Sequence, residues 1–330
     1  MQAFPRPATN APPVNCFYLC WADKTAVWMV QSQVPQSGKP GFHAVVNWPE
    51  HRTKITLMAD DPGGTPGTSA SPPLIPVSYL KSHLQKSIRR SNPYKTIKTA
   101  SELLKGDLGE FLRRTLIIAL EDTLPLDGYA VLTWFMAAHS KGYALTPDQI
   151  AWCLGYVYDL AKCPVYEKIP KKLPDLRLTD VPVGPACDLV TSILFREAYG
   201  GTPGDKNLCR QAASMWAQRF QTNSFHLTRL TRSPVKSITP ATDGLHFNDW
   251  YLAAIDFHCC PALIPHVREK FDMFTEEQIK GAIWHCNSAL TDKENIGLPT
   301  DGPAIQTATP IWLAIKKVVK AYASYTIYKL

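Results

Sequence analysis

The residue types best suited to catalysis or metal binding gather in two stretches near the end of the chain, IDFHCCPALIPHV (255–267) and IWHCN (283–287). The candidate ligands are Asp256, His258, Cys259, His266 and His285. Tetrahedral zinc requires four such side chains around one ion. However, no C-x-x-C or H-x-x-x-H pair anchors the set. We therefore predict no cofactor, and keep a zinc site or Cys/His chemistry as an alternative to buried cysteines and helix-capping histidines.

A cluster of basic residues lies between residues 81 and 98. Its members are Lys81, Lys86, Arg89, Arg90, Lys95 and Lys98. On helices, this spacing lets several side chains neutralise neighbouring phosphates, which gives binding that weakens with salt. The whole chain carries a net charge of +7, which favours phosphate or acidic partners without requiring them. The cluster predicts a surface for DNA or RNA, with an ordinary solvated helix face as the alternative.

A second group of charges stands inside an apolar stretch, FLRRTLIIALED (111–122). A helix with so little polar surface partly buries its arginines, and a buried arginine requires a carboxylate or carbonyl partner. The stretch itself supplies two acidic residues at its end. We interpret these charges as an internal ion-pair network that ties helices together, and its members are Arg113, Arg114, Glu121 and Asp122.

Local patterns predict the elements that position these residues. Residues 15–58 form β-branched and aromatic runs separated by turns, which indicates a small antiparallel sheet. Further on, Asp107 with Glu110, and Thr146 with Gln149, have the spacing of helix N-terminal caps, and apolar residues then recur with a helical period. The predicted fold class is mainly α, a multi-helix protein with a small N-terminal antiparallel β element.

Shifts in composition divide the chain into segments. Stretches rich in Pro, Gly and Ser cannot support a hydrophobic core, so they indicate linkers. The predicted segments are a disordered N-terminus (1–14), a small β element (15–58), a linker (59–78), a basic helical domain (79–164), a Pro-rich connector (165–185) and a C-terminal helical domain (186–330). The sequence leaves open whether the strands form a separate module or join the helical core.

Three stretches from residue 86 to residue 163 resemble a known helical region. They are KSIRRSNPYKTIKTASELLKGD, FLRRTLIIALED and YAVLTWFMAAHSKGYALTPDQIAWCLGYVYDLAKCP. In order and spacing they are similar to the helices that follow the ATPase core in the replication-associated recombination ATPases, clamp-loader relatives that include the Werner-helicase-interacting protein family. The resemblance implies a clamp-loader-type collar, self-association into a homo-oligomer, and partners in replication or repair.

The ATPase module of that family has no counterpart in this sequence. A phosphate-binding loop requires G-x-x-x-x-G-K-[ST], because consecutive backbone N–H groups surround the phosphates while the lysine reaches them. The nearest stretches, QSGKPG at 36–41 and GTPGDK at 201–206, lack this spacing and the final hydroxyl residue. The resemblance therefore implies the helical scaffold without ATP hydrolysis.

Cysteine usage and hydropathy indicate a compartment. Nine scattered cysteines without a C-x-x-C pair favour a reducing, intracellular location such as the cytoplasm or nucleus. No signal-peptide core and no apolar run of about 18 residues is present, which predicts no membrane association. We predict a non-enzymatic nucleic-acid-associated or adaptor protein in replication, repair or genome handling. The alternatives are a metal-dependent or Cys/His enzyme with its site in the C-terminal block, and a structural assembly subunit.

Overall fold

The computed structural model describes residues 15–34, 41–65, 77–89, 91–165, 167–170, 172–181, 185–222, 235–242, 260–287 and 303–322. Within these residues the chain forms four β-strands and ten α-helices. The predicted fold class is confirmed, because helices dominate and the strands all lie near the N-terminus.

The strands form one sheet. They are β1 (Cys16–Cys20), β2 (Thr25–Met29), β3 (Phe42–Trp48) and β4 (Thr53–Ala59). Their spatial order is β2-β1-β4-β3, with β1–β2 and β3–β4 paired antiparallel. The two central strands β1 and β4 pair parallel, so the sheet is mixed, with two antiparallel hairpins as its halves. Buried residues on both central strands do not reveal strand direction, which is why the sequence alone suggested a purely antiparallel sheet.

In the described ranges, seven helices follow the sheet and three more lie near the C-terminus. They are α1 (Val77–Arg89), α2 (Pro93–Gly106), α3 (Leu108–Asp122), α4 (Tyr129–His139), α5 (Pro147–Lys162), α6 (Pro185–Arg196), α7 (Pro203–Thr222), α8 (Cys260–Arg268), α9 (Glu276–Asn287) and α10 (Pro303–Tyr322). Caps fix several of their starts. The Asp107 carboxylate accepts from the Glu110 amide, and Thr146 and Gln149 form a reciprocal capping box, both as the sequence predicted.

The sheet and α1–α7 share one hydrophobic cluster. In this cluster the indole of Trp134, on the almost entirely buried helix α4, donates to the backbone carbonyl of Phe17 on β1 at 3.0 Å. The ring of Phe17 stacks on Trp28 with centroids 4.2 Å apart, and Phe195 of α6 packs edge-on against Trp28. The strands are therefore part of the helical core rather than a separate module.

A second, smaller hydrophobic cluster is built from α8, α9 and α10. Its buried residues include Leu263, Val267, Ile279, Ile283 and Ile315. The sequence grouped residues 186–330 in one C-terminal domain, whereas α6 and α7 contribute to the first cluster and α8–α10 form the second. None of the helices in the described ranges is both long enough and apolar enough to cross a membrane.

Candidate functional site

The residues predicted as zinc ligands are mostly beyond what the structure describes. Asp256, His258 and Cys259 lie outside the described residues, and so does the side chain of His285. His266, on α8, stacks on the ring of Tyr322 with centroids 4.5 Å apart. Among the residues that the structure describes, no group of three or more His, Cys, Asp or Glu side chains is arranged to hold a metal ion.

The thiols of the described core are poor nucleophiles. Burial raises the pKa of Cys209 to about 12 and that of Cys16 to about 11. The thiolate is the reactive form of cysteine, and a catalytic thiol needs a lowered pKa. These two cysteines therefore act as small apolar side chains in the core.

The predicted row of phosphate-binding residues does not form one exposed surface. Lys86, Arg89 and Lys98 are 5%, 8% and 4% exposed, because α1 and α2 pack against each other and against α3 and α5. The Lys98 ammonium lies 4.8 Å from the centroid of the Tyr94 ring. Lys81 and Lys95 are half-buried, and Arg90 lies outside the described residues.

Lys81 and Arg89 line a solvent-open cleft between α1, α3 and the start of α7. Arg113 and Arg114 line the same cleft. The cleft has a volume of about 810 Å³. Its cationic lining residues are Lys81, Arg89, Arg113, Arg114 and Arg196. Its acidic lining residues are Glu110, Glu121 and Asp205. Five cations against three carboxylates give the lining a positive excess, and we call this region the basic cleft.

Glu110 holds two cations at one wall of the basic cleft. The Lys81 ammonium lies 2.6 Å from its carboxylate, and Arg113 donates to the same group from one turn further along α3. Burial by itself would raise the pKa of Glu110, but the hydrogen bonds from Lys81 and Arg113 outweigh burial and hold the pKa below its ordinary value. This carboxylate therefore stays ionised and keeps both cations in place.

Arg114 and Arg89 occupy the other wall with Glu121. The Arg114 guanidinium lies 3.9 Å from Glu121 and 3.8 Å from Asp205, and Arg89 lies 3.8 Å from Glu121. These separations exceed hydrogen-bond length, so the attractions are purely electrostatic. The amide oxygen of Gln85 accepts one hydrogen bond from Arg114. Most Arg114 donors therefore remain open to the cleft.

The predicted ion-pair residues all take part in this region, but Arg113 pairs with Glu110, and Asp122 pairs with Arg89. Asp122 is buried behind the cleft and accepts from Arg89 Nε at 2.5 Å and from the Gln85 amide at 2.9 Å. Thus the network joins α1 to α3, and the buried Asp122 is neutralised by an arginine that the sequence assigned to the phosphate surface.

Glu121 is a carboxylate of the cleft whose ionised form is disfavoured. Burial, and secondly the neighbouring charge of Asp122, raise the pKa of Glu121 above its ordinary value despite the opposing charges of Arg114 and Arg89. A raised carboxyl pKa means that the ionised form is disfavoured where it stands. The negative charge at this wall is therefore the easiest to neutralise.

Arg196, at the end of α6, is the cation that the sequence did not single out. It is 3% exposed, and its guanidinium donates to the backbone carbonyls of Arg113 at 3.1 Å and Gly200 at 2.8 Å. Within the described part of the chain, no carboxylate lies within ion-pair distance of it. It is a buried cation at the base of the basic cleft with carbonyl partners alone.

The loop after Arg196 brings the start of α7 to the cleft. Gly201 has a φ of +119°, and a Cβ there would lie 2.9 Å from a carboxylate oxygen of Asp205, so glycine suits this turn. Thr202 and Asp205 then cap α7 reciprocally, with bonds of 2.8 Å and 3.1 Å. The N-terminus of this 20-residue helix adds positive potential at the same place.

Comparisons of the chain with protein-family models, with curated proteins and with solved structures found no match. The resemblance of residues 86–163 to the recombination ATPases therefore stays a prediction. The chemical argument rests on the basic cleft itself, which can hold an anionic group.

Proposed function

We propose that the chain is a nucleic-acid-associated protein and that the basic cleft binds phosphate. The observation that carries the proposal is Arg196, a buried guanidinium without a carboxylate partner among the described residues. Removing a charge from water costs several kcal/mol, in rough terms, unless an opposite charge compensates it. A bound phosphate supplies that charge.

The surroundings of Arg196 favour phosphate over other anions. Arg114 presents open donors in the planar fork that matches phosphate oxygens, and Lys81 and Arg113 add positive charge across the cleft. The net charge of +7 attracts polyanions over a longer range. The helix α10 carries the exposed Lys317 and the half-buried Lys316 and Lys320, and it contains no acidic residue, which supports a polyanionic partner.

The proposal keeps the expectation of a role in genome handling and of helical self-association, which follows from the resemblance of residues 86–163. It also keeps the expectation of a non-enzymatic role, which follows from the missing phosphate-binding loop. It changes the residues that contact phosphate. The exposed row of α1 and α2 is replaced by the basic cleft, in which Lys81 and Arg89 meet Arg113, Arg114 and Arg196.

The test is a fluorescence-anisotropy titration with labelled single- and double-stranded DNA and RNA at about 50 mM and about 200 mM salt. We expect binding that weakens steeply with salt. Arg114→Gln should lower affinity roughly tenfold or more, because a charge-assisted hydrogen bond contributes about 1.5–3 kcal/mol.

Lys54→Gln is the matched control, since Lys54 is an exposed lysine on β4, away from the cleft. It should bind like the unmodified protein. Equal losses for Arg114→Gln and Lys54→Gln would show that binding follows net charge and not the cleft. If neither single- nor double-stranded DNA or RNA binds at low salt, the result would contradict the proposal.

A further inference from the structure

We infer that the basic cleft recognises a terminal phosphate, a phosphate monoester at the end of a nucleic acid strand, and not the phosphodiesters along the backbone. The inference rests on the proposed function and specifies the ligand of the same site. Two features of the cleft carry it: the depth of its key cation and its open hydrogen-bond donors.

The position of Arg196 favours the end of a strand. Its guanidinium is buried under the carbonyls of Arg113 and Gly200, at the base of the cleft. An internal phosphodiester carries a sugar on both sides, so it can contact a cation on a surface but reaches a buried one poorly. A terminal phosphate projects from a single ester bond and can enter a cleft of about 810 Å³ end-on.

The charge of the cleft favours an anion of either kind. Its lining has five cations and three carboxylates, and Asp122 behind the cleft neutralises Arg89, so an excess of about one positive charge remains. The N-terminus of α7 adds positive potential at the same place. The choice between a monoester and a diester therefore rests on the depth of Arg196 and on the open donors.

Open donors are present for the additional oxygens of a monoester. Arg114 lies beyond hydrogen-bond distance from both Glu121 and Asp205, so its donors can turn to a ligand without breaking a short bond. Ser78 and Ser82 line the same cleft, and in the described part of the chain their hydroxyls have no hydrogen-bond partner. A monoester offers three terminal oxygens to these groups, and a diester offers two.

The test compares labelled single strands of roughly 12 nucleotides that carry a 5′-phosphate, a 3′-phosphate or hydroxyls at both ends. We expect one of the phosphorylated strands to bind about tenfold tighter than the hydroxyl strand. Equal affinity of all three strands would overturn the inference and leave the proposed function intact. Failure of all three strands to bind would instead contradict the proposed function.

Variants locate the effect in the cleft. Arg196→Gln and Arg114→Gln should each abolish the advantage of the phosphorylated strand, and Lys54→Gln should retain it. Glu121→Gln should increase that advantage severalfold, because it removes a negative charge from the wall of the cleft. If Arg196→Gln fails to fold, as judged by circular dichroism, the opposite effects of Arg114→Gln and Glu121→Gln decide the matter. An advantage that persists in Arg114→Gln would overturn the inference.

A phosphate monoester also occurs on free nucleotides, and a competition experiment separates the two sources. A nucleoside 5′-monophosphate should displace the phosphorylated strand, but at a concentration at least about tenfold higher than an unlabelled phosphorylated strand, since a strand makes further backbone contacts. Equal potency would assign the site to a free nucleotide and overturn the assignment to nucleic acid ends.

Discussion

Asp188 on α6, which is half-buried, shows how a single charged residue behaves when it is partly removed from water. Its carboxylate accepts from the backbone amide of Trp28 at 2.6 Å. Burial raises the pKa of Asp188 to about 6, although the Trp28 hydrogen bond opposes the shift. Arg89 is more deeply buried and has the carboxylate of Asp122 as its partner, whereas the buried Arg196 has backbone carbonyls. Removal from water therefore gives a neutralised pair, a cation without a counter-charge or a carboxyl with a raised pKa, depending on the partner.

We predict that Asp188 makes stability depend on pH between about 4 and about 6. The folded protein binds this proton more tightly than the unfolded chain, whose carboxyl pKa is about 3.9. The free energy of unfolding should therefore fall by about 3 kcal/mol as pH rises through that window. Asp188→Asn retains an acceptor for Trp28 but does not titrate, so it should lack this loss.

Urea unfolding at several pH values measures the effect. The difference in unfolding free energy between Asp188→Asn and the unmodified protein should grow in favour of the variant from pH 4 to pH 7. Asp175→Asn, at an exposed position in the connector before α6, should show no such trend. Parallel pH profiles for Asp188→Asn and the unmodified protein would contradict the assignment.

Among the elements, α5 has a feature that its own sequence does not explain. Its start follows from the Thr146–Gln149 capping box, but Gly155 stands in its middle, where glycine weakens a helix. The reason is the extended segment 235–242, which crosses α5 there. The amide of Ile238 donates to the Ala151 carbonyl at 2.9 Å, and a Cβ on residue 155 would lie 1.8 Å from the carbonyl oxygen of Lys236.

We predict that Gly155→Ala lowers the free energy of unfolding by about 1–3 kcal/mol, the usual cost of overpacking, even though alanine is the better helix former. Thermal or urea unfolding provides the measurement. The matched control is Gly281→Ala on α9, where the added Cβ would meet no described atom within 4 Å apart from its chain neighbours and its own helix backbone. That variant should be neutral or stabilising by up to about 1 kcal/mol. Stabilisation by Gly155→Ala would mean that segment 235–242 is not held against α5.

At the scale of the whole molecule, the described chain has two hydrophobic clusters of unequal size. The first combines the sheet with α1–α7 and holds the basic cleft at its surface. The second is confined to α8–α10, with Ile315 fully buried in it. Separate clusters need not lose their structure in one cooperative step.

We predict that Ile315→Ala loosens α8–α10 without affecting the first cluster. The lost methylene groups and the resulting cavity should cost about 2–5 kcal/mol locally. Hydrogen exchange measured by mass spectrometry should become faster in residues 260–287 and 303–322 and stay unchanged in α4. Ile117→Ala on α3 is the reciprocal control, because Ile117 is buried in the first cluster. Faster exchange in α4 after Ile315→Ala would show that the two clusters unfold together.

The sequence by itself determined the local features of this protein. The starts of α3 and α5 follow from Asp107 and Thr146, whose caps involve residues three positions away. The mainly helical fold class and the N-terminal strands follow from hydrophobic periodicity, which is equally local. The clustering of basic residues is also a local feature of the sequence. It identified Lys81, Arg89, Arg113 and Arg114 as candidates.

Only the tertiary structure decided how those features combine. The parallel pairing of β1 with β4 and the burial of Lys86 and Lys98 depend on which elements pack together. No sequence pattern marks Arg196 as a site residue. It donates to the carbonyl of Arg113, which lies 83 positions earlier in the sequence. Such contacts arise from burial of apolar surface, which fixes the elements in space and places charges far apart in sequence side by side. Residue type shows that a charge exists, but packing decides whether it is solvated, paired or left to bind an anion.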